Sequence, residues 1–390
     1  MASAALLAAS ARAVFCLYAL GGLPAAPFQV GSLVLPALTG QRTESASRES
    51  GRTVLVTIWY PAAGASPGRH GLFLRLLRGV DELREPVLQA PPPANTRTPL
   101  PVLIYFGGWP ETGADGRGLI HALAAQGFAV AAVRYPEPPD RAGRQGGAEG
   151  SQLIDFSSAA AFQGTLSRAD ALARVGARDA EAVLGLLDDL NRQSAPQSLF
   201  SGRLDLDRVG IIGYSFGGAI AAQAAWQDRR FRAVVNLDGW GFGDAAAEGI
   251  QQPYLLVSDD EPLPSPADFS AADPVRRYSA ILNRDDYART LRNFRRHGGM
   301  LVVVRHSSHE AFSGVGIGSK IRRLFGLPQG TSCRVLGAVA AYTQAFFRGR
   351  LQGQDSPLLE GGAYPSTNVQ IWNAVPDTKF STGYDLQSRN

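Results

Sequence analysis

The hexapeptide "GYSFGG", Gly213 to Gly218, narrows the fold more than any other stretch of the chain. The apolar run "RVGII" precedes it and "AIAAQAAW" follows it. An apolar run that stops at Gly-x-Ser-x-Gly and gives way at once to a small-residue helix is the pattern of a sharp strand-to-helix turn. Glycines two before and two after the serine admit the strained backbone, and Gly218 leaves room for the helix to pack closely. The helix start also brings free N–H groups and a positive dipole end beside Ser215. The competing interpretation is a glycine-rich turn without chemistry, for instance a phosphate-binding loop. That loop calls for Lys-Ser/Thr or a third spaced glycine, and neither is present.

From about residue 28 the chain alternates apolar β-type runs with helical stretches. "TVLVTIWY" (53–60) stops at Pro61, and "PVLIYFGG" (101–108) runs into a glycine turn. "LIHALAAQG" is a helix ending near Gly127, followed by the strand "FAVAAVRYP". Apolar positions at helical spacing continue through 167–193, with Ser167 as the expected N-cap. The strands "RAVVNLDGW", "QPYLLVSDD" and "MLVVVRHSSHE" follow, and the helix "VLGAVAAYTQAFF" comes last. Continuous apolar strands separated by helices specify an α/β domain with a mostly parallel central sheet and helices on both faces. That domain is expected over 28–350, with insertions near 62–100 and 137–166. Residues 351–390 are rich in Gly, Pro and Ser and are expected to form a loosely packed tail.

Composition excludes several classes. With 45% hydrophobic and 18% charged residues in 390, the chain can bury a sizeable core. The net charge of +4 comes from arginines scattered among acids, Lys320 and Lys379 being the only lysines. No basic block is interleaved with aromatics, so no nucleic-acid partner is expected. Cys16 and Cys333 make no CxxC pair, which removes a zinc or redox motif. Residues 1–27 form an apolar N-terminal segment, with "AVFCLYALGG" after Arg12 and a small-residue site at Ala19-Leu20-Gly21. This matches a signal peptide and an exported (periplasmic or secreted) protein, the alternative being an uncleaved N-terminal helix.

If Ser215 is a nucleophile, the chain must supply a base, an acid and oxyanion donors. Five histidines are available. His70 lies in the first insertion, His121 on a helical apolar stripe, and His297 near the end of a charged helix. His306 and His309 follow the last apolar strand of the series, where loops of a parallel sheet converge. His306 comes directly off that strand, whereas His309, in "SSHEAF", has more freedom to reach Ser215. Their H-x-x-H spacing lacks a third ligand, so no metal is expected. Asp238 ends "AVVNL", while Asp259 and Asp260 end the next strand. Either position can orient an imidazole. Asp238 stands among apolar and glycine residues, where an unpaired carboxylate is costly, whereas Asp259-Asp260-Glu261 is a polar run that solvent can satisfy. The amide of Phe216 is the first oxyanion donor by geometry, and Gly108 or Trp109 in "GGWPET" is placed for the second.

The residues "VTIWYPA", "GYSFGG", "VNLDGW" and "HSSHEAF" together resemble the platelet-activating factor acetylhydrolase-like α/β hydrolases, of the plasma and type II kind, over roughly 28–350. The resemblance implies the α/β-hydrolase fold and a Ser215, Asp238, His309 triad. It places the backbone oxyanion donors at Phe216 and Trp109, and it implies calcium-independent cleavage of short or oxidised acyl esters without a cofactor. Gly107 stands where the family usually has a histidine, which bears on the shape of the oxyanion loop. The expected partner is a small-molecule or lipid ester. The arginine-bearing amphipathic stretch between Leu72 and Leu83 is expected to be a lid over the acyl pocket, the alternative being peripheral membrane contact. Acyl transfer or a polyester- or lipase-type hydrolysis would use the same triad. A non-catalytic hydrolase-fold binding protein is the alternative of another class, although every catalytic role has a candidate here.

Overall fold

Strand β4 (Leu100–Phe106) is buried along its whole length. Its side chains divide by the two-residue period of a strand: Val102, Ile104 and Phe106 enter one core, Leu103 and Tyr105 the other. Strand β6 (Leu204–Tyr214) divides likewise, with Val209 and Ile211 on the first side and Ile212 and Tyr214 on the second. A strand with two buried faces needs a helical layer on each. The computed structural model describes residues 27–39, 52–63, 88–109, 116–135, 152–194, 198–313, 333–361, 364 and 369–374. The apolar N-terminal segment, the amphipathic stretch from Leu72 to Leu83, and His70 lie outside the described residues.

In chain order the remaining elements are β1 (Gln29–Thr39), β2 (Arg52–Ala62), β3 (Leu88–Gln89), helix α1 (Arg117–Ala125), β5 (Ala129–Arg134) and α2 (Ala159–Arg192). After β6 come α3 (Phe216–Gln227), β7 (Phe231–Leu237), α4 (Asp244–Glu248), β8 (Tyr254–Ser258), α5 (Pro266–Phe269) and α6 (Pro274–His297). They are followed by β9 (Gly299–Val304), α7 (His309–Ser313), α8 (Cys333–Gln352), a 3-10 turn at Pro357–Glu360, and β10 (Val369–Ala374). One sheet of 10 strands runs β10-β9-β8-β7-β6-β4-β5-β2-β1-β3. The strands from β5 to β9 are parallel, while β2 and β10 pair antiparallel at the two ends of that block. Helices α2 and α3 cover the first core, and α1 and α8 the second.

The chain leaves β4 toward β5, then returns through α2 to β6 on the other side of β4. The strand order reverses there, which opens a crevice beyond the carboxyl ends of β4 and β6. Ser215 is the first residue past β6.

Three boundaries differ from the sequence reading. Helix α2 begins at Ala159, capped by the Ser158 hydroxyl, which accepts from the Ala161 amide at 3.2 Å. Ser167 lies inside it and donates back to the Gln163 carbonyl, so the helical segment enters the second insertion. Described residues past 351 also supply structure: β10 pairs with β9 from Val369↔Val304 to Ala374↔Gly299, and Val369 and Ile371 pack on the second core. In "VQIWNA" two apolar residues at alternate positions suffice for an edge strand despite the Gly, Pro and Ser around them. Finally, the end of the first insertion lies along the outer strands, where the Tyr60 hydroxyl donates to the Pro91 carbonyl at 2.8 Å. Among the described residues, no helix is long and apolar enough to cross a membrane.

Candidate active site

Ser215 has φ 54° and ψ −124°, a conformation rarely adopted by a side-chain-bearing residue. Such backbone costs about 1–3 kcal/mol and persists only where its surroundings enforce it. Here the Ser215 amide donates to the Leu237 carbonyl at 2.9 Å and its carbonyl accepts from Gly218 at 2.9 Å. The flanking glycines are steric necessities. A β-carbon on Gly213 would lie 1.8 Å from the Gly217 carbonyl oxygen, and one on Gly217 would lie 2.3 Å from that of Phe106. The turn therefore projects the serine side chain off the strand end, at the start of α3.

Two strand ends supply the partners. Asp238 follows β7 directly, at φ 57°, with its amide bound to the Val257 carbonyl at 2.8 Å. Its Oδ1 accepts from the Ser258 hydroxyl at 3.0 Å and the Asp259 amide at 2.9 Å. Its Oδ2 faces His309 Nδ1 at 2.8 Å. The other imidazole nitrogen, Nε2, lies 3.0 Å from Ser215 Oγ. The Asp238 side chain is 9% exposed and that of His309 41%. Burial works against the imidazolium, but the hydrogen bond to Asp238 and the negative charges of Asp238, Glu310 and Asp259 outweigh it. The His309 pKa is held above the ordinary histidine value.

The structure thus brings Ser215, His309 and Asp238 into one hydrogen-bonded line. The other described histidines stand elsewhere. His306 is exposed, the His121 ring meets the edge of Trp59 at 6.5 Å, and His297 Nε2 lies 2.9 Å from the Glu248 carbonyl. In the polar run after β8, Asp259 and Asp260 are engaged by protein, while Glu261 is exposed. Asp259 gives its amide to Asp238, and its carboxyl is pushed up to about 7, first by burial and then by the charge of Asp238. Asp260 accepts the amides of His306 and Ser307 at 2.9 and 3.3 Å.

Phe216 opens α3, so its amide is among those without an intrahelical acceptor. Gly108 lies against the elbow: a β-carbon there would be 3.2 Å from Ser215 Cβ. Trp109, next along, is 40% exposed and meets the Phe216 ring edge-on at 6.0 Å. Gly108, two residues past β4, and Phe216, at the start of α3, therefore border Ser215 on two sides, with Trp109 packed against Phe216.

Tyr214, Asn236 and Ser258 surround the line without having been marked in the sequence, and Asp260, marked there as part of the competing acid position, instead binds the loop before His309. Asn236 is buried and clamps the turn after β7, accepting from the Gly239 amide at 2.9 Å and donating to the Gly239 carbonyl at 2.8 Å. Tyr214 is the variable residue inside the motif itself, a signal open to inspection. Among the described residues, no group of three or more His, Cys, Asp or Glu could hold a metal ion.

A mostly parallel sheet with a serine on a strained strand-to-helix turn at its switch point defines an α/β-hydrolase fold. A solved structure of a ferulic acid esterase from Streptomyces cinnamoneus superposes with a TM-score of 0.53 at 24% identity, covering 89% of this chain and 97% of its own. At that identity the likeness speaks for the fold. Residues 180–290 match the family model described as platelet-activating factor acetylhydrolase, isoform II. The platelet-activating factor acetylhydrolase of Bos taurus is 41% identical over 59 residues, 15% of this chain and 13% of its own length. That of Gallus gallus is 31% identical over 61 residues, 15% of this chain and 14% of its own. The matched stretch thus spans under a sixth of these relatives. Within that stretch the chain is similar to the platelet-activating factor acetylhydrolases.

Proposed function

We propose that this protein is a serine hydrolase of carboxylic esters with short acyl groups. The observation that carries the reading is the line from Asp238 Oδ2 through His309 to Ser215 Oγ, with contacts of 2.8 and 3.0 Å. A serine hydroxyl is a weak nucleophile until a neighbouring base takes its proton. In this reading Ser215 Oγ attacks the ester carbonyl while its proton passes to His309 Nε2. Asp238 holds the opposite nitrogen and stabilises the imidazolium that forms. The Phe216 and Trp109 amides bind the oxyanion of the tetrahedral intermediate. His309 then returns the proton to the departing alcohol, the C–O bond breaks, and an acyl-serine remains. Water, deprotonated by His309, attacks that acyl carbon and releases the acid with Ser215 restored.

The short acyl group is carried over from the relatives, whose names specify acetyl release. The ferulic acid esterase also cleaves an ester in name, which agrees with the reaction class but not with the acyl group. The test combines a fluorophosphonate probe with p-nitrophenyl esters graded by acyl length. Wild-type protein should be labelled, Ser215→Ala should not, and turnover should peak at acetate or butyrate. Equal labelling of both proteins ends the nucleophile claim. A peak at long chains, or preferred transfer to an added alcohol, replaces the short-acyl hydrolase with a lipase or an acyltransferase.

A further inference from the structure

His309 is not held by a strand. Residues 305–308 separate it from β9, yet its imidazole must meet Asp238 and Ser215 at once, at 2.8 and 3.0 Å. A misplacement of about 1 Å in such an arrangement can cost on the order of a hundredfold in rate. Two side chains outside the line fix the loop. The Asp260 carboxylate, at the end of β8, accepts both the His306 amide at 2.9 Å and the Ser307 amide at 3.3 Å. Those bonds hold His306 in a left-handed conformation, φ 58°, that non-glycine residues seldom adopt. The Ser307 hydroxyl closes the turn by donating to the Val304 carbonyl at 2.7 Å. From the other side comes Tyr214, the residue before the nucleophile. Its ring stacks on the His309 imidazole, with centroids 5.1 Å apart and planes 25° from parallel. Its hydroxyl donates to the His309 carbonyl at 3.2 Å.

We infer that Tyr214 and Asp260 are positioning residues that clamp the His309 loop, one from the nucleophile's own strand and one from beyond the end of β8, the strand beside β9. Each acts through His309, so the inference rests on the reading of His309 as the base. Tyr214 restrains both ring and backbone of the same residue, which ties the base directly to the strand that carries Ser215. Asp260 restrains the turn that delivers it.

The test compares Asp260→Asn, Tyr214→Phe and Tyr214→Leu with wild type. The measurements are kcat and KM for p-nitrophenyl acetate, the fluorophosphonate labelling rate, and the thermal midpoint. Rates are expressed per labelled serine. Asp260→Asn keeps the shape of the side chain but can accept through one oxygen only; Tyr214→Phe removes the carbonyl bond and keeps the stack. The expected result is a loss of about tenfold in kcat for Asp260→Asn and Tyr214→Leu, with KM within about twofold and labelling slowed in step. Tyr214→Phe should retain most of the activity. A merely structural contribution would lower the thermal midpoint and leave kcat per labelled serine unchanged, and that outcome overturns the inference. If Tyr214→Leu does not fold, the near-isosteric Asp260→Asn decides. A wild-type protein that is not labelled overturns the hydrolase reading and this inference with it. A labelled wild type with unaltered variants overturns the clamp alone.

Discussion

The backbone amide of Asp259 donates to Asp238 Oδ1 at 2.9 Å, so the end of β8 orients the carboxylate that faces His309. The Asp259 side chain has no part in that bond. Asp238→Asn should therefore lower kcat by about a hundredfold or more, because an amide cannot stabilise the imidazolium or fix its tautomer. Asp259→Asn keeps its backbone amide and should stay within about tenfold of wild type. Steady-state kinetics on p-nitrophenyl acetate decide; the reverse order would move the acid to β8.

The activity should rise with pH through a value above 6.5, the ordinary histidine value, because His309 must be neutral to accept the serine proton and its imidazolium is held by Asp238, Glu310 and Asp259. A kcat/KM profile whose acidic limb lies well below that value would contradict the charge arrangement around the imidazole.

Asp259 makes a separate prediction about stability. Its carboxyl is harder to ionise folded than unfolded, with a pKa near 7 against 3.8. A raised value of this kind contributes stability that is fully present below the unfolded pKa and is lost as pH rises through the folded one. A carboxamide side chain at this position does not ionise. The thermal midpoint of Asp259→Asn should therefore gain on wild type as pH is raised from about 4 to about 8. A gap that stays constant over that range would refute it.

Gly239 sits against the elbow so closely that a β-carbon there would be 2.0 Å from the Ser215 carbonyl oxygen. Gly239→Ala should displace the Ser215 turn and slow fluorophosphonate labelling by at least about tenfold even where the protein folds. Wild-type labelling would show that the turn can yield.

Far from the site, Arg52 pairs with the buried Asp179, which also accepts from the Tyr135 hydroxyl at 3.0 Å. Arg52→Ala leaves a buried carboxylate without its cation and should cost about 2–4 kcal/mol, less than a fully buried pair because the arginine is half exposed. Asp179→Asn leaves no such charge behind and should cost less. Urea titrations that reverse this order would refute the assignment of the penalty to desolvation.

The contrast between Gly213 and Asp260 shows what a sequence displays. The elbow is legible because its first demand is local: Gly213 must be small for a contact with the Gly217 carbonyl within the same hexapeptide, and although Gly217 is kept small by the distant Phe106 carbonyl, the fixed spacing of the two glycines about Ser215 itself carries the information. The buried strands are legible for the same reason, since unbroken apolar runs have no other home than a sheet covered on both faces. Asp260 is not legible, because the amides it binds lie 46 and 47 residues further along the chain, and an acid in a polar run looks like solvated surface. Ser167 misled for a physical reason too. A serine can open a helix or bond back to the preceding turn within one, and only the three-dimensional context separates these.

Strand β10 has a consequence for how the molecule is made. The sheet edge at β9 carries Gly299 to Val304, and its partner arrives with Val369 to Ala374. During synthesis every parallel strand can be in place while this flank still offers a row of unpaired backbone groups, immediately beneath the loop that bears His309. A nascent chain halted before residue 369 would carry Ser215, Asp238 and His309 on a sheet whose flank at β9 is open to pairing with another chain. The antiparallel strand takes up those groups and moves the open edge one strand outward, away from the strand that leads into the His309 loop.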